Sequence, residues 1–389
     1  MSYTVEIVRD PISEIVTKLP ELASVEAVHA EAERRFTEGD TAFVADLGIA
    51  IAMTYGHGAD RVWQYESVFN GLLRLLATTA GAENAARALQ LIFAAGTYCP
   101  KLDRYPRLDR GSASLLAAFQ TADDLAVAFT DGGVSQELRA CLVQEMVLKG
   151  VPVTEVPAIA EWTDSPSWHG HPLSWLPLTL SPVEQRPAVP SPEARDRGHT
   201  TPFATADMSD AATPHDSPVP SALNITTTAR SAAMSFAVTQ WAEASNGRVE
   251  AEVFELAQPL RPHAVASLLM TLGLECLDGL EQENSFSVSA CSAGRAWRIL
   301  FAAASDGGAY GSGSYGAHGR LAAWRSLAGL SGLATDCSYA DVEQRVRDCA
   351  WYIFEADTTW YEQVAWDIGL AAAAPDRRQL AVLAATDTD

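Results

Sequence analysis

The first 150 residues carry apolar side chains at helical spacing. One stripe follows the i, i+1, i+4, i+5, i+8 pattern and consists of Val68, Phe69, Leu72, Leu73 and Leu76. Because an α-helix has about 3.6 residues per turn, such positions form one face that packs against a core. Similar stripes recur in further segments, which are separated by short breaks at Gly39, Gly81 and Gly133. The pattern predicts an all-helical domain over residues 1–151, either an irregular, repeat-like array of helical hairpins or a plain helical bundle.

Residues 223–389 mix two periods. "RVEAEVFEL" alternates apolar and polar residues and predicts a strand, and residues 360–387 predict two strands joined at Pro375 and Asp376. Two further strands are expected around Ser292–Gly294, and Tyr339–Phe354 is expected to be one helix. The pattern therefore predicts a C-terminal α+β domain with a small, mainly antiparallel sheet, and an α+β fold class overall.

Residues 152–222 differ in composition, since they hold most of the 20 prolines. Part of this stretch, 152–183, contains three tryptophans and several leucines, so we expect it to lie extended against one of the domains. The remainder, 184–221, has too few large apolar residues to offset the entropy of ordering, which predicts a mobile linker.

The overall charge of the chain limits which classes of molecule it can bind. The chain has 389 residues with 27 Lys and Arg against 49 Asp and Glu, a net charge of −22 that is spread along its length. Nucleic-acid binding requires clustered basic residues, so no nucleic-acid partner is expected. No apolar run is long enough for a membrane span, and the first residues resemble no secretory signal, so we expect no membrane association and a cytoplasmic location.

Candidate metal ligands are sparse. The six cysteines are scattered without the close pairs of a zinc site, which predicts free, mostly buried thiols. "WHGHP" offers His169 and His171, with Asp164 and His199 as conceivable partners, but alternate residues of an extended segment point to opposite sides. We therefore predict no metal and no cofactor.

The glycine-rich stretch "GGAYGSGSYGAHGR", residues 307–320, contains the strongest candidate site. Three glycines fit G-x-G-x-x-G and open a predicted helix, a context in which backbone N–H groups could bind phosphate. The candidate ligand-binding residues are Gly311, Gly313, Gly316, His318 and Arg320. No Lys-Ser or Lys-Thr pair follows, and the flanking segments do not continue as βαβ units. The loop is thus either a phosphate site or a connector, and the second interpretation is favoured.

Four segments carry a resemblance to a known family. They are "YGAHGRLAAWRSLAGLSG", "CAWYIFEADTTWYEQVAWDIGLA" and "LAVLAATDTD" in the C-terminal part, and "HPLSWLPLTL" at 171–180. These segments resemble an actinobacterial, Streptomyces-type family known only as a numbered domain of unknown function. The resemblance implies no activity, ligand or catalytic residue. One departure is "PDRR" in the last turn, where a glycine is expected.

Two functional hypotheses follow. No G-x-S-x-G and no paired Ser, His and Asp are recognisable, so no catalytic residue is predicted, and whether the protein is an enzyme stays open. The favoured hypothesis is a non-enzymatic module that binds a protein partner. The alternative is an enzyme that binds a nucleotide or another phosphate ligand through residues 307–320.

Overall fold

The structure is a computed structural model. It describes residues 10–57, 63–99, 105–184, 218–280, 286–308, 313–334, 336–361 and 366–387. The chain divides into two compact units, Met1–Ser174 and Trp175–Asp389. Most of the predicted mobile linker, 185–217, lies outside the described residues, so the linker and the domain limits stay predictions.

The N-terminal unit is all-helical, as its apolar stripes predict. The stripe that begins at Val68 is buried throughout. Short 3-10 turns at Leu19–Glu21 and Val153–Glu155 accompany the α-helices. In chain order, these helices are α1 Pro11–Lys18, α2 Glu26–Thr37, α3 Thr41–Tyr55, α4 Trp63–Thr78, α5 Ala82–Tyr98, α6 Tyr105–Phe119, α7 Ala122–Leu125, α8 Val127–Thr130, α9 Gln136–Leu148, α10 Pro157–Thr163 and α11 Pro166–His169.

Local signals set where these helices begin and end. Gly39 follows α2 with a φ of 87°, a left-handed conformation that glycine adopts at low cost. The side chain of Asp40 then accepts a hydrogen bond from the backbone N–H of Phe43, and the hydroxyl of Ser135 does the same for Leu138 at the start of α9. Both side chains satisfy a helical N–H group that has no partner within its helix.

The tryptophan-rich stretch after α9 differs from the prediction. It forms the short helices α10 and α11 instead of an extended segment, because Pro157 and Pro166 occupy first-turn positions that suit proline. The side chains of Trp162 and Trp168 are buried, and their ring centroids lie 5.5 Å apart with the ring planes tilted by 58°. The helical turns thus bury both rings together.

The C-terminal unit combines a sheet with helices. Its strands are β1 Ala222–Asn224, β2 Arg248–Leu256, β3 Phe286–Cys291, β4 Ala350–Ala356, β5 Trp366–Ala373 and β6 Gln379–Asp387. Its α-helices are α12 Thr228–Met234, α13 Thr239–Ala244, α14 Val265–Leu269, α15 Ala293–Asp306, α16 Tyr315–Leu330 and α17 Tyr339–Asp348. A 3-10 turn at Pro172–Trp175 precedes them, and two more lie at Pro262–Ala264 and Glu275–Leu277.

The six strands form one antiparallel sheet in the order β1-β2-β6-β5-β4-β3. Alternate residues face opposite sides, so β2 contributes Phe254 to one apolar core and Val253 to the other side, where α12 and α16 pack. This arrangement confirms the α+β fold class with an antiparallel sheet. None of the helices in the described part of the chain combines the length and apolar character that a membrane span requires.

Two predicted elements in this unit were wrong. The segment after Ser292 forms the helix α15 and not the expected second strand. The hydroxyl of Ser292 caps this helix by accepting a hydrogen bond from the N–H of Arg295. The helix expected over Tyr339–Phe354 ends at Asp348, and β4 follows. Residues in this strand are nearly all buried, and a continuous apolar run fits a buried strand as well as a helix.

The turn between β5 and β6 accommodates "PDRR" without glycine. Arg377 adopts a φ of 57°, which is uncommon for a residue with a side chain. Its N–H donates to the carbonyl of Ala374, while the carboxylate of Asp376 accepts from the N–H of Arg378. These two hydrogen bonds hold a left-handed position that glycine would normally occupy.

Candidate functional site

The glycine-rich segment lies between α15 and α16, and its centre is tightly packed where the structure describes it. Gly311 lies outside the described residues. The backbone N–H of Gly313 donates to the carbonyl of Asp306 at 3.1 Å, and a Cβ atom at Gly313 would overlap the backbone at Ser305. Gly313 is therefore required for the close approach of two backbone segments, while its role toward a ligand stays a prediction.

The other three candidate residues lie on α16. Gly316 is buried, His318 is half-buried, and Arg320 is fully buried. Gly316 thus lies in the first turn of α16, as the motif predicts, and phosphate binding by these residues stays a prediction. Asp336, which lies 20 residues after Gly316, is exposed in the turn that precedes α17.

Arg320 is held by an acidic partner from a distant part of the chain. Its guanidinium donates to both carboxylate oxygens of Glu184 at 2.6 and 2.7 Å, and both side chains are removed from solvent. It also donates to the carbonyls of Pro177 and Thr179. The indole of Trp324 also donates to Oε1 of Glu184 at 2.7 Å. This cluster fastens residues 177–184 to α16.

A different feature of the molecule has the form of a binding site. A groove of about 780 Å³ opens in the N-terminal unit among α5, α6 and the start of α9. Its apolar lining consists of Leu89, Ile92 and Phe93 from α5, together with Val134 and Leu138 from the segment that leads into α9. Concave sites with apolar walls and a few polar groups are typical of ligand and partner binding.

Phe93 is the exposed part of this apolar wall. Its side chain is 53% accessible, although its neighbours Leu89 and Ile92 on the same helix are buried. A half-exposed aromatic ring beside a groove provides apolar surface that a partner could cover.

The polar end of the groove begins with Asp109 on α6. Its Oδ2 atom accepts a hydrogen bond from the hydroxyl of Ser135 at 2.7 Å. Burial raises the pKa of the Asp109 carboxyl, the Ser135 hydrogen bond opposes this shift, and the nearby Glu137 carboxylate adds to it. Within the residues that the structure describes, Oδ1 of Asp109 accepts no hydrogen bond, and no cation pairs with this side chain.

The rest of the polar end is an ion pair supported by a histidine. Nε of Arg110 donates to Oε1 of Glu137 at 3.1 Å, and Nε2 of His171 lies 3.0 Å from Oε2 of the same carboxylate. Because Nδ1 of His171 accepts from the N–H of Leu173, the neutral ring carries its proton on Nε2 and donates to Glu137. The thiol of Cys141 also contacts Glu137, and burial raises its pKa well above the usual value, so it stays protonated.

Sequence reasoning named only part of this region. His171 was considered as a metal ligand, whereas the structure places it against Glu137; His169 is exposed and His199 lies outside the described residues. The residues missed were Asp109 and Arg110. The available signal was weak, a pair of adjacent opposite charges in the first half of α6.

Comparison with known proteins gives a family without an activity. No curated protein and no solved structure matches the chain. One family model covers residues 26–389, and thus both the groove in the N-terminal unit and the sheet of the C-terminal unit. The chain belongs to the family of unknown function DUF6183.

Proposed function

We propose that the chain is a non-enzymatic protein-binding module, and that its N-terminal helical unit binds a segment of a partner protein in the groove among α5, α6 and α9. The observation that carries this proposal is the exposed ring of Phe93 on an apolar wall that leads to a small polar end. Aromatic anchors next to a few polar groups are typical of the central part of protein interfaces.

The apolar wall supplies the driving force. Burying a phenylalanine side chain contributes roughly 1.5–3 kcal/mol, so covering the exposed half of Phe93 would contribute about 1 kcal/mol. Leu89 and Leu138 add to the apolar lining of the groove. Several such contacts are needed for measurable affinity, because association also costs translational and conformational entropy.

The polar groups of the groove are used in ways that support binding rather than bond-making chemistry. Ser135 caps α9 and at the same time holds Asp109, so its hydroxyl proton is directed to a carboxylate. Glu137 is engaged by Arg110 and His171, and the Cys141 thiol is protonated. An activated nucleophile needs a lowered pKa or a free general base beside it, and these contacts provide neither.

Site-specific photo-crosslinking in host cells tests the proposal. A photoreactive phenylalanine replaces Phe93 in one sample and Trp63 in the other, since Trp63 is an equally exposed aromatic residue of the same unit, outside the groove. We expect a discrete adduct at position 93, identified by mass spectrometry, and none of the same mass at position 63.

A blocking substitution makes the test specific to the groove. Thr97 lines the groove on the last turn of α5, and among the described residues its hydroxyl donates only to the carbonyl of Phe93 in its own helix. Thr97→Arg should abolish the adduct at position 93. Thr54→Arg is the matched control, because Thr54 is an exposed residue of α3 with the same type of local bond. An adduct that survives Thr97→Arg, or that also forms at position 63, would show that the groove is not the binding site.

A further inference from the structure

The polar end of the groove carries an uncompensated negative charge. It contains two carboxylates, Asp109 and Glu137, and one guanidinium, Arg110. Arg110 pairs with Glu137 at 3.1 Å, so this cation is already used. Asp109 has only the neutral hydroxyl of Ser135 as a hydrogen-bond partner among the described residues. A partly buried carboxylate without a cation is unfavourable unless another group compensates it.

The geometry leaves one side of this carboxylate available. Oδ2 of Asp109 is occupied by Ser135, which also fixes the side chain, because Ser135 is itself held at the start of α9. Oδ1 is not used by any residue in the described ranges, and Asp109 lines the groove. A donor that enters the groove could therefore form a charge-assisted hydrogen bond with a pre-oriented acceptor.

The apolar wall suits the rest of a basic side chain. Lysine and arginine have long apolar stems that pack against apolar surface while the charged end reaches a polar group. An arginine could also stack its guanidinium on an aromatic ring such as that of Phe93. A net charge of −22 would further favour the approach of a positively charged segment.

We infer that the groove recognises a lysine or arginine side chain of its partner, with Oδ1 of Asp109 as the acceptor and Phe93 in contact with an apolar neighbour of that basic residue. This inference rests on the proposed protein-binding function and names the chemistry of the partner segment. An acidic segment would meet Asp109 directly, while Arg110 is already paired with Glu137.

Two fluorescent peptide pools test the inference by anisotropy. Both pools are octapeptides with randomised apolar and aromatic flanks; one has Lys or Arg at the centre and the other Asp or Glu. We expect saturable binding of the basic pool to the wild-type chain, and binding weaker by at least about tenfold with Asp109→Asn, because a hydrogen bond to a charged group is lost. Asp46→Asn is the control, since it removes the same charge from an exposed position on α3 and should not change affinity.

A second measurement uses only the wild-type chain, so it does not depend on the folding of a variant. N-acetylarginine amide should displace the basic pool, whereas N-acetylglutamine amide should not. Equal binding of the two pools, or unchanged affinity in folded Asp109→Asn, would overturn the inference. If the photo-adduct at position 93 forms and Thr97→Arg blocks it, but the basic pool does not bind, the protein-binding function stands and the basic partner is wrong. If the adduct does not form and the basic pool does not bind, both proposals are wrong.

Discussion

Glu184 and Arg320 form an ion pair in which neither side chain is accessible to solvent. Two parallel hydrogen bonds of 2.6 and 2.7 Å join the guanidinium to the carboxylate. Two charges transferred from water to the interior lose their hydration, and only full hydrogen bonding compensates for this cost. Here the carboxylate also accepts from the indole of Trp324 and from the N–H of Ser181, so both charges are well satisfied.

Removing one member of this pair should therefore be severe. Arg320→Met leaves the Glu184 carboxylate buried without its cation, and we expect a loss of about 3–5 kcal/mol in the free energy of unfolding. Urea denaturation followed by tryptophan fluorescence measures it. Arg347→Met, at an exposed position of α17, should change stability by less than about 0.5 kcal/mol. The double variant Glu184→Gln with Arg320→Met should lose less than the sum of the two single losses; simple additivity would contradict the pairing.

The same pair predicts which fragment folds. A fragment 223–389 would keep Arg320 without Glu184 and would also lack Trp175, whose indole donates to the carbonyl of Cys337. We expect fragment 175–389 to unfold cooperatively in urea and fragment 223–389 to lack a cooperative transition. A stable, cooperative 223–389 fragment would show that the segment before residue 223 is dispensable.

Gly313→Val separates the connector and phosphate interpretations of the glycine-rich segment. A side chain at Gly313 would overlap the backbone at Ser305, so we expect a loss of roughly 1–3 kcal/mol with no ligand present. The cause is close packing rather than positive φ, which Gly307 has instead. Gly132→Ala is the control, because a Cβ there has open space. If ATP or inorganic phosphate raises the melting temperature of the wild type and not of Gly313→Val, the segment is a phosphate site.

Asp109 should make stability depend on pH. Its folded pKa is raised above 3.8 by burial and by Glu137, so between pH 3.8 and the folded pKa the folded chain holds a proton that the unfolded chain releases. The stabilising contribution of this carboxyl is thus complete below 3.8 and is lost as pH rises through the folded pKa. The Ser135 hydrogen bond lowers this pKa less than burial raises it, and Arg110, the nearby cation, pairs with Glu137.

Asp109→Asn should accordingly become more stable relative to the wild type as pH rises, with the difference levelling off above the folded pKa. Urea titrations across this range, with Asp46→Asn as the exposed control, measure the difference. A stability difference that does not change with pH would mean that Asp109 has an ordinary pKa.

The thiols should differ in their rate of alkylation. All six cysteines are free, and four of them are buried. Of the two half-buried residues, Cys291 has a pKa that burial raises to about 12, so very little thiolate forms near neutral pH. We expect iodoacetamide to modify Cys337 first, as followed by mass spectrometry of the native chain, and Cys337→Ser to remove this early product. Faster modification of Cys291 would contradict the burial argument.

Local patterns predicted the fold where they were unambiguous. The stripe at Val68 and its equivalents need only a 3.6-residue period, and the alternation of β2 needs only a period of two. The pattern did not predict β4, because a strand that is buried on both faces shows no alternation of apolar and polar residues. The start of α15 was missed because Ser292 and Gly294 were interpreted as a turn, although serine is also a common N-cap residue of helices.

The candidate sites depended on contacts that no local pattern contains. Arg320 lies in an otherwise apolar part of α16, and its partner Glu184 lies 136 residues earlier, so neither residue indicates the other. Asp109 and Ser135 are 26 residues apart and meet only because α6 packs on α9. Long-range pairing of this kind follows from tertiary structure alone.

The distance along the chain between Glu184 and Arg320 also imposes an order on biosynthesis. Glu184 leaves the ribosome 136 residues before its partner, an interval of roughly 7–27 seconds at ordinary rates of translation. During that interval the carboxylate must remain hydrated, because it has no cation to accompany it into an interior. The segment 177–184 can therefore pack against α16 only after α16 has been synthesised. Formation of the Glu184–Arg320 ion pair is thus a late step in the folding of the C-terminal unit.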